Sequence, residues 1–178
     1  STRKTPLLKA DRLFHNPLST GNLFLKLENL QPTGSFKVRG AMNTLSMLSK
    51  QEKQKGLITA SGGNHGLAVA YAAFMAQVPS LIFLPSTTSA KKIEKLRSWG
   101  AAIQGSGDVW DEANEAALEK AEENKMTYVH PFADKRVIEG QGTVALEIFK
   151  AAPEIDTLVV AVGGGGLISG VATAAKKI

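Results

Sequence analysis

Short apolar runs alternate with segments of helical periodicity along most of the chain, and this alternation constrains the fold more than any other feature. The predicted strands cover residues 23–28, 57–60, 80–84, 101–104, 127–130 and 157–162, and the predicted helices cover residues 35–48, 67–76, 89–99, 108–124, 136–150 and 167–177. Continuous apolar strands separated by helices are typical of parallel sheets covered on both faces. We therefore predict an α/β fold with doubly wound, mostly parallel sheets, in which ligands bind at the carboxyl ends of the strands.

The composition excludes several kinds of site. The chain of 178 residues has no cysteine and three histidines. The absence of cysteine excludes thiolate zinc sites, iron–sulfur clusters and a cysteine nucleophile. Asp108, Asp111, Glu112 and Glu115 fall in the first turns of a predicted helix, where acidic side chains complement the helix dipole without a metal. No metal site is predicted.

Charge and hydropathy favour a small anionic ligand over a nucleic acid or a membrane. The formal net charge is +5, from 21 Lys and Arg against 16 Asp and Glu, but basic patches interleaved with aromatic residues are absent. No apolar run approaches the roughly 18 residues that span a membrane. Residues 1–8 lack the apolar core of a secretory signal. The expected location is the cytoplasm.

Residues 32–40, between a predicted strand and a predicted helix, form the first loop whose residues could take part in a reaction. Ser35 can cap this helix, which would place Lys37 in its first turn. The helix dipole there favours the neutral amine, as burial would. A lysine with a lowered pKa is suited to imine chemistry. From the residues alone, a solvated surface lysine remains the alternative.

The second loop, residues 61–66 (SGGNHG), follows one predicted strand and precedes an alanine-rich helix. Glycines let backbone N–H groups turn toward one point at a helix N-terminus, which makes a site for a phosphate or a carboxylate. Asn64 could donate a further hydrogen bond to such a ligand. A tight strand-to-helix turn, with Gly63 and Gly66 needed for packing, explains the same residues. Taken alone, His65 is more typical of a structural cap than of a base.

The third loop is a run of four glycines, residues 163–166, before the last predicted helix. Each glycine costs about 1 kcal/mol of ordering entropy relative to alanine, so a plain turn rarely needs four. Close approach of the backbone to a phosphate explains them better. The spacing matches neither the G-x-G-x-x-G fingerprint of dinucleotide sites nor the P-loop.

Together these loops resemble the fold-type II pyridoxal-phosphate enzymes, whose fold is tryptophan synthase β-like. The resemblance is closest to the threonine and serine dehydratase (ammonia-lyase) branch, which also includes serine racemase. The matching segments are residues 26–28 (KLE), 32–37 (PTGSFK), 61–66 (SGGNHG), 140–143 (GQGT) after 130–132 (HPF), and 163–167 (GGGGL). They follow one another in the family's order over nearly the whole chain.

The resemblance implies a role for each matching position. Lys37 matches the lysine that forms the internal aldimine with pyridoxal 5'-phosphate and then moves the proton at the substrate α-carbon. Phe36 matches the residue beside the pyridine ring, and Asn64 matches the asparagine that hydrogen-bonds the ring hydroxyl. The substrate carboxylate would be held by Ser61, Gly62, Gly63, Asn64 and His65, and the cofactor phosphate by Gly163, Gly164, Gly165, Gly166 and Leu167.

The implied activity is α,β-elimination of L-threonine or L-serine to a 2-oxo acid and ammonia. Serine racemase and hydroxyaspartate dehydratase are alternatives. In serine racemase, the position of Gly62 is a serine that acts as an acid and base on the opposite ring face. Glycine cannot transfer protons, so a lyase is preferred. β-Replacement and a non-catalytic ligand-binding fragment are further alternatives.

The resemblance also implies a domain organisation. Residues 1–55 and 136–178 would form a large cofactor-binding lobe, and residues 56–135 a small inserted lobe, with the cofactor between them. The chain would correspond to the N-terminal part of a family member. The full-length protein is expected to be a homo-oligomer that acts on a small amino acid.

Overall fold

The computed structural model describes residues 2–10 and 22–178, and its strands form two separate sheets. The smaller sheet pairs β1 (Leu7–Lys9) with β2 (Phe24–Lys26) in antiparallel orientation. The sequence predicts the second of these strands, at residues 23–28, but as part of the parallel array. Its partner was not predicted, because three residues are too few for a periodicity to be recognised.

The larger sheet has four parallel strands in the order β5-β4-β3-β6. Helices cross over between strands, as parallel pairing requires. The strands are β3 (Leu57–Ala60), β4 (Ser80–Leu84), β5 (Ala102–Gly105) and β6 (Thr127–Tyr128). They lie at the predicted positions, and the predicted α/β class with a mostly parallel sheet is confirmed.

Helices occupy most of the remaining described chain. They are α1 (Lys37–Met47), α2 (Lys50–Lys55), α3 (Asn64–Ala76), α4 (Ala90–Arg97), α5 (Trp110–Asn124), α6 (Lys135–Ala151) and α7 (Gly166–Ala175), with a 3-10 turn at Glu28–Leu30. The sequence analysis missed α2, which begins with a capping box: the Ser49 hydroxyl accepts from the Glu52 N–H, and the Glu52 carboxylate accepts from the Ser49 N–H. Within the described ranges, no helix has both the length and the apolar character to cross a membrane.

The two faces of the larger sheet are covered by different helices. Leu57, Ile82 and Leu84 are buried in one cluster with side chains of α1, α3 and α4. Ile58 and Phe83, which are next to these residues in the same strands, are buried in a second cluster with alanines of α5. Because successive strand residues point to opposite faces, this arrangement is the doubly wound one that the continuous apolar strands predict.

α6 packs against α1 and α7 through pairs of glycines. A Cβ at Gly140 would lie 2.6 Å from the Cα of Gly40 on α1, and a Cβ at Gly170 on α7 would lie 2.7 Å from the backbone nitrogen of Gly142. Both contacts are closer than real Cβ atoms approach their neighbours. The backbones of these helices therefore meet directly, which places the start of α1 and the start of α7 on the same side of the molecule as the start of α6.

A buried ion-pair network fixes α1 to its surroundings. The side chain of Arg39, 2% exposed, donates to Glu28 at 2.7 Å and to Glu147 of α6 at 2.8 and 2.9 Å. Lys26 of β2 also donates to Glu147 at 2.6 Å. Burial alone would raise the pKa of Glu147, but the hydrogen bonds from Arg39 and Lys26 lower it to about 2. The network joins the small sheet, α1 and α6 into one unit.

The predicted strand at residues 157–162 does not form a strand. Leu158 and Val160 pack partly against the cluster of α6 and α7, whereas Val159 and Val162 are 97% and 67% exposed. A strand is held by hydrogen bonds to a neighbouring strand, and none of the described residues supplies that neighbour. The apolar character of the run is visible in the sequence, but its pairing depends on what lies beside it.

The variant Gly140→Ala tests the direct contact of α6 with α1. Helix propensity favours alanine by about 1 kcal/mol, but the methyl would lie 2.6 Å from the Arg39 carbonyl oxygen, and overpacking costs about 1–3 kcal/mol. We expect a net loss in the free energy of unfolding, measured by urea denaturation. Gly105→Ala is the control, since its Cβ would meet no atom within 4 Å. Equal stability of the two variants would contradict the contact.

Candidate active site

Lys37 lies at the first position of α1 and its side chain is partly buried. Its Nζ donates a hydrogen bond to the carbonyl oxygen of Pro131 at 2.6 Å and lies 5.4 Å from the centre of the Phe36 ring. Burial lowers the pKa of the Lys37 amine below its ordinary value. Lys37 therefore lies in the first turn of α1, as predicted, and its partly buried amine contacts a backbone carbonyl group, which a fully solvated surface lysine would not do.

The cap of α1 differs from the prediction. Phe36, not Ser35, precedes the first helical residue, and its backbone is itself helical. The Ser35 hydroxyl is buried without a hydrogen-bond partner among the described residues. The Ser35 cap is therefore wrong, because the Ser35 hydroxyl accepts no hydrogen bond from the first turn of α1. The start of the helix is instead held by the Arg39 network, one half-turn further on.

Residues 129–134, which we call the 129–134 turn, connect β6 to α6 and contact the start of α1 and of α3. The Val129 carbonyl oxygen accepts from the Thr59 hydroxyl at 2.8 Å and from His65 Nε2 at 2.9 Å. Two residues later, the Pro131 carbonyl oxygen accepts from Lys37. The sequence analysis quoted part of this segment as a family match but gave it no role.

The second predicted loop forms a tight turn into α3. A Cβ at Gly66 would collide with the Ser61 carbonyl oxygen, and the Ser61 hydroxyl accepts from the Gly63 N–H at 3.3 Å. Asn64, the first residue of α3, is exposed. The N-cap Gly63 has no side chain to satisfy the first N–H groups of this helix. The tight-turn explanation therefore holds for Gly66, and an anion site at the start of α3 stays a prediction.

His65 points away from that N-terminus. Its ring is buried, 3% exposed, and burial lowers its pKa to about 4. The ring is therefore neutral near pH 7, and Nε2 carries the proton that Val129 accepts. The His65 side chain anchors α3 to the 129–134 turn. If His65 contacts a substrate carboxylate, it does so through its backbone N–H group. This role stays a prediction.

Different structural requirements explain the glycines at residues 163–166. A Cβ at Gly164 would lie 2.5 Å from Phe132 Cγ, and one at Gly166 would lie 2.9 Å from the Phe132 carbonyl oxygen. Gly165 has a φ of 86°, which favours glycine. A Cβ at Gly163 would meet no atom within 4 Å. Close contact with Phe132 therefore explains two of the glycines that the sequence analysis assigned to a phosphate.

The glycine run nevertheless leads directly into α7. The residue before this helix is Gly165, whose lack of a side chain leaves the first N–H groups without a side-chain cap. Such N–H groups, together with the positive end of the helix dipole, bind phosphate. Gly163 and Gly165, which have open space around them, would admit it.

The 129–134 turn brings the predicted loops together. Lys37 contacts Pro131, the glycine run contacts Phe132, and α3 is anchored through His65 to Val129. A cofactor with an aldehyde at one end and a phosphate at the other needs an amine of lowered pKa near an anion-binding helix N-terminus. Pyridoxal phosphate has this chemistry, and the residues present fit it. Lys37 and α7 belong to one continuous set of contacts, and Asn64 stands at the adjoining helix start.

The fold and the arrangement of these loops fit a class of α/β proteins that depend on pyridoxal phosphate. A family model described as "Pyridoxal-phosphate dependent enzyme" matches residues 1–178. The chain belongs to this family.

Three proteins similar to this chain are named for their activity. The chain is 48% identical over 158 residues to an L-threonine ammonia-lyase of Thermotoga maritima, covering 89% of this chain and 39% of that protein. It superimposes on the processed form of threonine deaminase isoform 2 from Solanum lycopersicum with a TM-score of 0.94 and 42% identity, covering 99% of this chain and 48% of that one. For a maize serine racemase the TM-score is 0.90 and the identity 38%, covering 99% and 53%. The chain spans about half the length of the proteins it matches.

The variant Gly164→Ala tests the contact between the glycine run and the 129–134 turn. Its methyl would collide with the Phe132 ring, so we expect the free energy of unfolding to fall by about 1–3 kcal/mol. Thermal or urea denaturation measures this change. In the double variant with Phe132→Leu the smaller side chain should restore part of the loss, as a coupled pair does.

Gly163→Ala is the matched control, since its methyl has open space. It should leave stability unchanged while weakening the binding of pyridoxal phosphate if Gly163 lines the phosphate site. A Gly164→Ala variant as stable as Gly163→Ala would show that Phe132 does not constrain the loop.

Proposed function

We propose that the intact protein is a pyridoxal-phosphate-dependent ammonia-lyase that converts L-threonine or L-serine to a 2-oxo acid and ammonia. The observation that carries this proposal is the partly buried Lys37 amine, held 2.6 Å from the Pro131 carbonyl oxygen beside the contact of Phe132 with the glycine run. The similarity to an L-threonine ammonia-lyase and a threonine deaminase supports the same activity.

Each described loop has a task in this reaction. Lys37 holds the cofactor and removes the proton from the substrate α-carbon, for which an amine of lowered pKa is suited. The N-terminus of α7 with Gly163–Gly166 holds the phosphate, and the N-terminus of α3 with residues 61–65 holds the substrate carboxylate. Phe36 would lie beside the pyridine ring of the cofactor, and Asn64 would donate a hydrogen bond to the ring hydroxyl. When bound, pyridoxal phosphate supplies the electron sink that makes the α-proton acidic.

A one-sided proton transfer distinguishes the lyase from a racemase. A racemase needs a second acid on the face opposite the lysine, and Gly62 has no side chain to serve as one. A Cβ at Gly62 would lie 3.2 Å from the methyl carbon and 3.6 Å from the hydroxyl oxygen of Thr88. The space beside Gly62 is thus limited by the Thr88 methyl. Because a serine racemase is among the similar structures, racemisation is the second candidate activity.

The remaining parts of the proposal concern the whole protein. The four strands of the larger sheet all lie between Leu57 and Tyr128, which supports the proposed small lobe of residues 56–135 set into a large lobe of residues 1–55 and 136–178. Family resemblance supports a homo-oligomer in the cytoplasm that acts on a small amino acid and binds neither nucleic acid nor membrane.

The variant Lys37→Ala tests the central assignment. We expect the loss of about 100-fold or more of the eliminase rate, since a positioned acid or base contributes about 10²–10⁴-fold. Formation of 2-oxobutanoate from L-threonine measures it, and the visible absorbance of the bound cofactor should change as well. Lys55→Ala, at the exposed end of α2, is the control. Full activity and an unchanged spectrum in Lys37→Ala would end the proposal.

The pair of variants Gly62→Ser and Gly62→Ser/Thr88→Ser tests the choice between elimination and racemisation. Thr88→Ser removes the methyl that limits the space beside residue 62. We expect the double variant to form D-serine from L-serine at a higher ratio to pyruvate than the parent, because a hydroxyl can then reprotonate from the second face. Chiral chromatography measures the ratio, with Thr88→Ser alone as control. A parent protein that racemises as fast as it eliminates would favour the racemase.

A further inference from the structure

His130 uses a single ring nitrogen to accept two backbone hydrogen bonds. The N–H of Phe132 donates to Nδ1 at 3.2 Å, and the N–H of Ala133 donates to the same atom at 2.9 Å. A nitrogen that accepts carries no proton, so the ring is the neutral form with its proton on Nε2. His130 therefore supplies the side-chain acceptor for the backbone of the 129–134 turn.

The two residues fixed in this way are the ones that meet the site. Pro131, enclosed between His130 and the two donors, presents its carbonyl oxygen to Lys37 at 2.6 Å. Proline has no N–H, so it cannot add a hydrogen bond of its own to hold the turn. Phe132 presents its ring to Gly164 and its carbonyl oxygen to Gly166. A change in the turn would move the lysine's partner and the support of the glycine run together.

The His130 ring contacts two aromatic rings. The ring of Phe132 lies 4.6 Å away at 90°, and that of Tyr128 lies 6.2 Å away at 71°. Both geometries are edge-to-face, which is favourable for aromatic pairs. The position of the acceptor nitrogen is thus fixed by packing.

We propose that His130 is a positioning residue of the site: its neutral ring fixes the 129–134 turn, and through that turn the Lys37 amine and the glycine run. The consequence for turnover rests on the proposed function, whereas the role in the turn does not. His130 touches neither reacting group and acts through Pro131 and Phe132.

The groups that surround His130 determine when it would lose this role. Burial and the nearby Lys37 lower its pKa, and Asp134 at the start of α6 opposes them, so that the pKa lies below its ordinary value. His65, on α3, is neutral and adds no charge near pH 7. His130 is thus neutral at pH 7, and its protonation at a pH below the ordinary histidine range would replace the acceptor with a donor. The turn should loosen on acidification.

Two variants separate the acceptor from the ring. In His130→Asn the side-chain oxygen stands at the same number of bonds from the backbone as Nδ1, accepts hydrogen bonds and does not titrate. In His130→Phe the ring shape is kept and the acceptor is lost. Amide hydrogen exchange at Phe132 and Ala133 in the cofactor-free intact protein reports the turn directly.

We expect exchange at these two amides to be about 10-fold or more faster in His130→Phe and close to the parent in His130→Asn, since a lost hydrogen bond of about 1.4 kcal/mol corresponds to tenfold. As the pH falls through the range in which the His130 ring becomes protonated, followed by its own NMR signals, the amides of the parent should lose protection beyond the intrinsic pH effect, and those of His130→Asn should not. Turnover of the enzyme with bound cofactor should fall in His130→Phe and be retained in His130→Asn. In His130→Asn, the part of the decrease in turnover at low pH that is caused by His130 should disappear.

Equal exchange in the two variants, or protection in the parent that does not depend on pH, would overturn the proposal. If His130→Phe fails to fold, nitrogen-15 NMR of the histidine ring in the parent decides: an Nδ1 that carries a proton at pH 7 overturns the proposal, and an Nδ1 without one supports it. These measurements need no activity. If the protein is not a lyase, these measurements still test the role of His130. If His130 does not fix the turn, the result for Lys37→Ala still tests the proposed activity.

Discussion

Backbone carbonyl groups of one short turn contact the groups to which we assign the chemistry. The Val129 carbonyl oxygen fixes the start of α3 through His65, and the Pro131 carbonyl oxygen accepts from Lys37. Phe132 fills the space beneath two glycines of the run before α7. Three helix starts, far apart in sequence, thus depend on about four consecutive peptide units. This dependence makes their relative positions a property of backbone geometry, which is stiffer than that of long side chains.

Two kinds of interaction hold together the helices α1, α6 and α7: close glycine contacts and a network of ion pairs. Gly40, Gly140, Gly142 and Gly170 let α1, α6 and α7 approach at backbone distance, which leaves little freedom for sliding. The Arg39 network then links α1 and α6 to the small sheet. A pair of partly buried carboxylates satisfies one buried guanidinium here, and such a network stabilises a position only when all its members are paired. The arrangement of α1 is therefore specified twice, by shape and by charge.

Much of this could be predicted from the sequence, and the exceptions have physical causes. The parallel strands, the crossover helices and the first-turn lysine follow from apolar runs and local loop chemistry. The antiparallel pairing of β2 and the missing strand at residues 157–162 do not, because strand pairing depends on a distant neighbour. The four glycines illustrate the same limit: their number indicates close approach, but only the fold reveals that Phe132 approaches two of them. The role of residues 130–132 was missed because a turn made of backbone contacts leaves no pattern of side-chain types.

The pKa values of Lys37 and Arg39 are shifted in opposite directions, because the two side chains lie on different faces of α1. Residues two apart on a helix point to nearly opposite sides. Arg39 faces Glu28 and Glu147; burial would lower its pKa, but the hydrogen bonds to both carboxylates raise it. Lys37 faces the 129–134 turn, where its partner is a neutral carbonyl and no carboxylate of the described residues forms an ion pair with it.

Burial is therefore unopposed at Lys37 and lowers its pKa. His65 on the same side is neutral for the same reason. About half a turn of helix thus separates a charged, paired network that secures the fold from a site where burial disfavours the charged form of the Lys37 amine. An amine that must gain and lose a proton during a reaction requires this separation, because a carboxylate beside it would hold the proton in place.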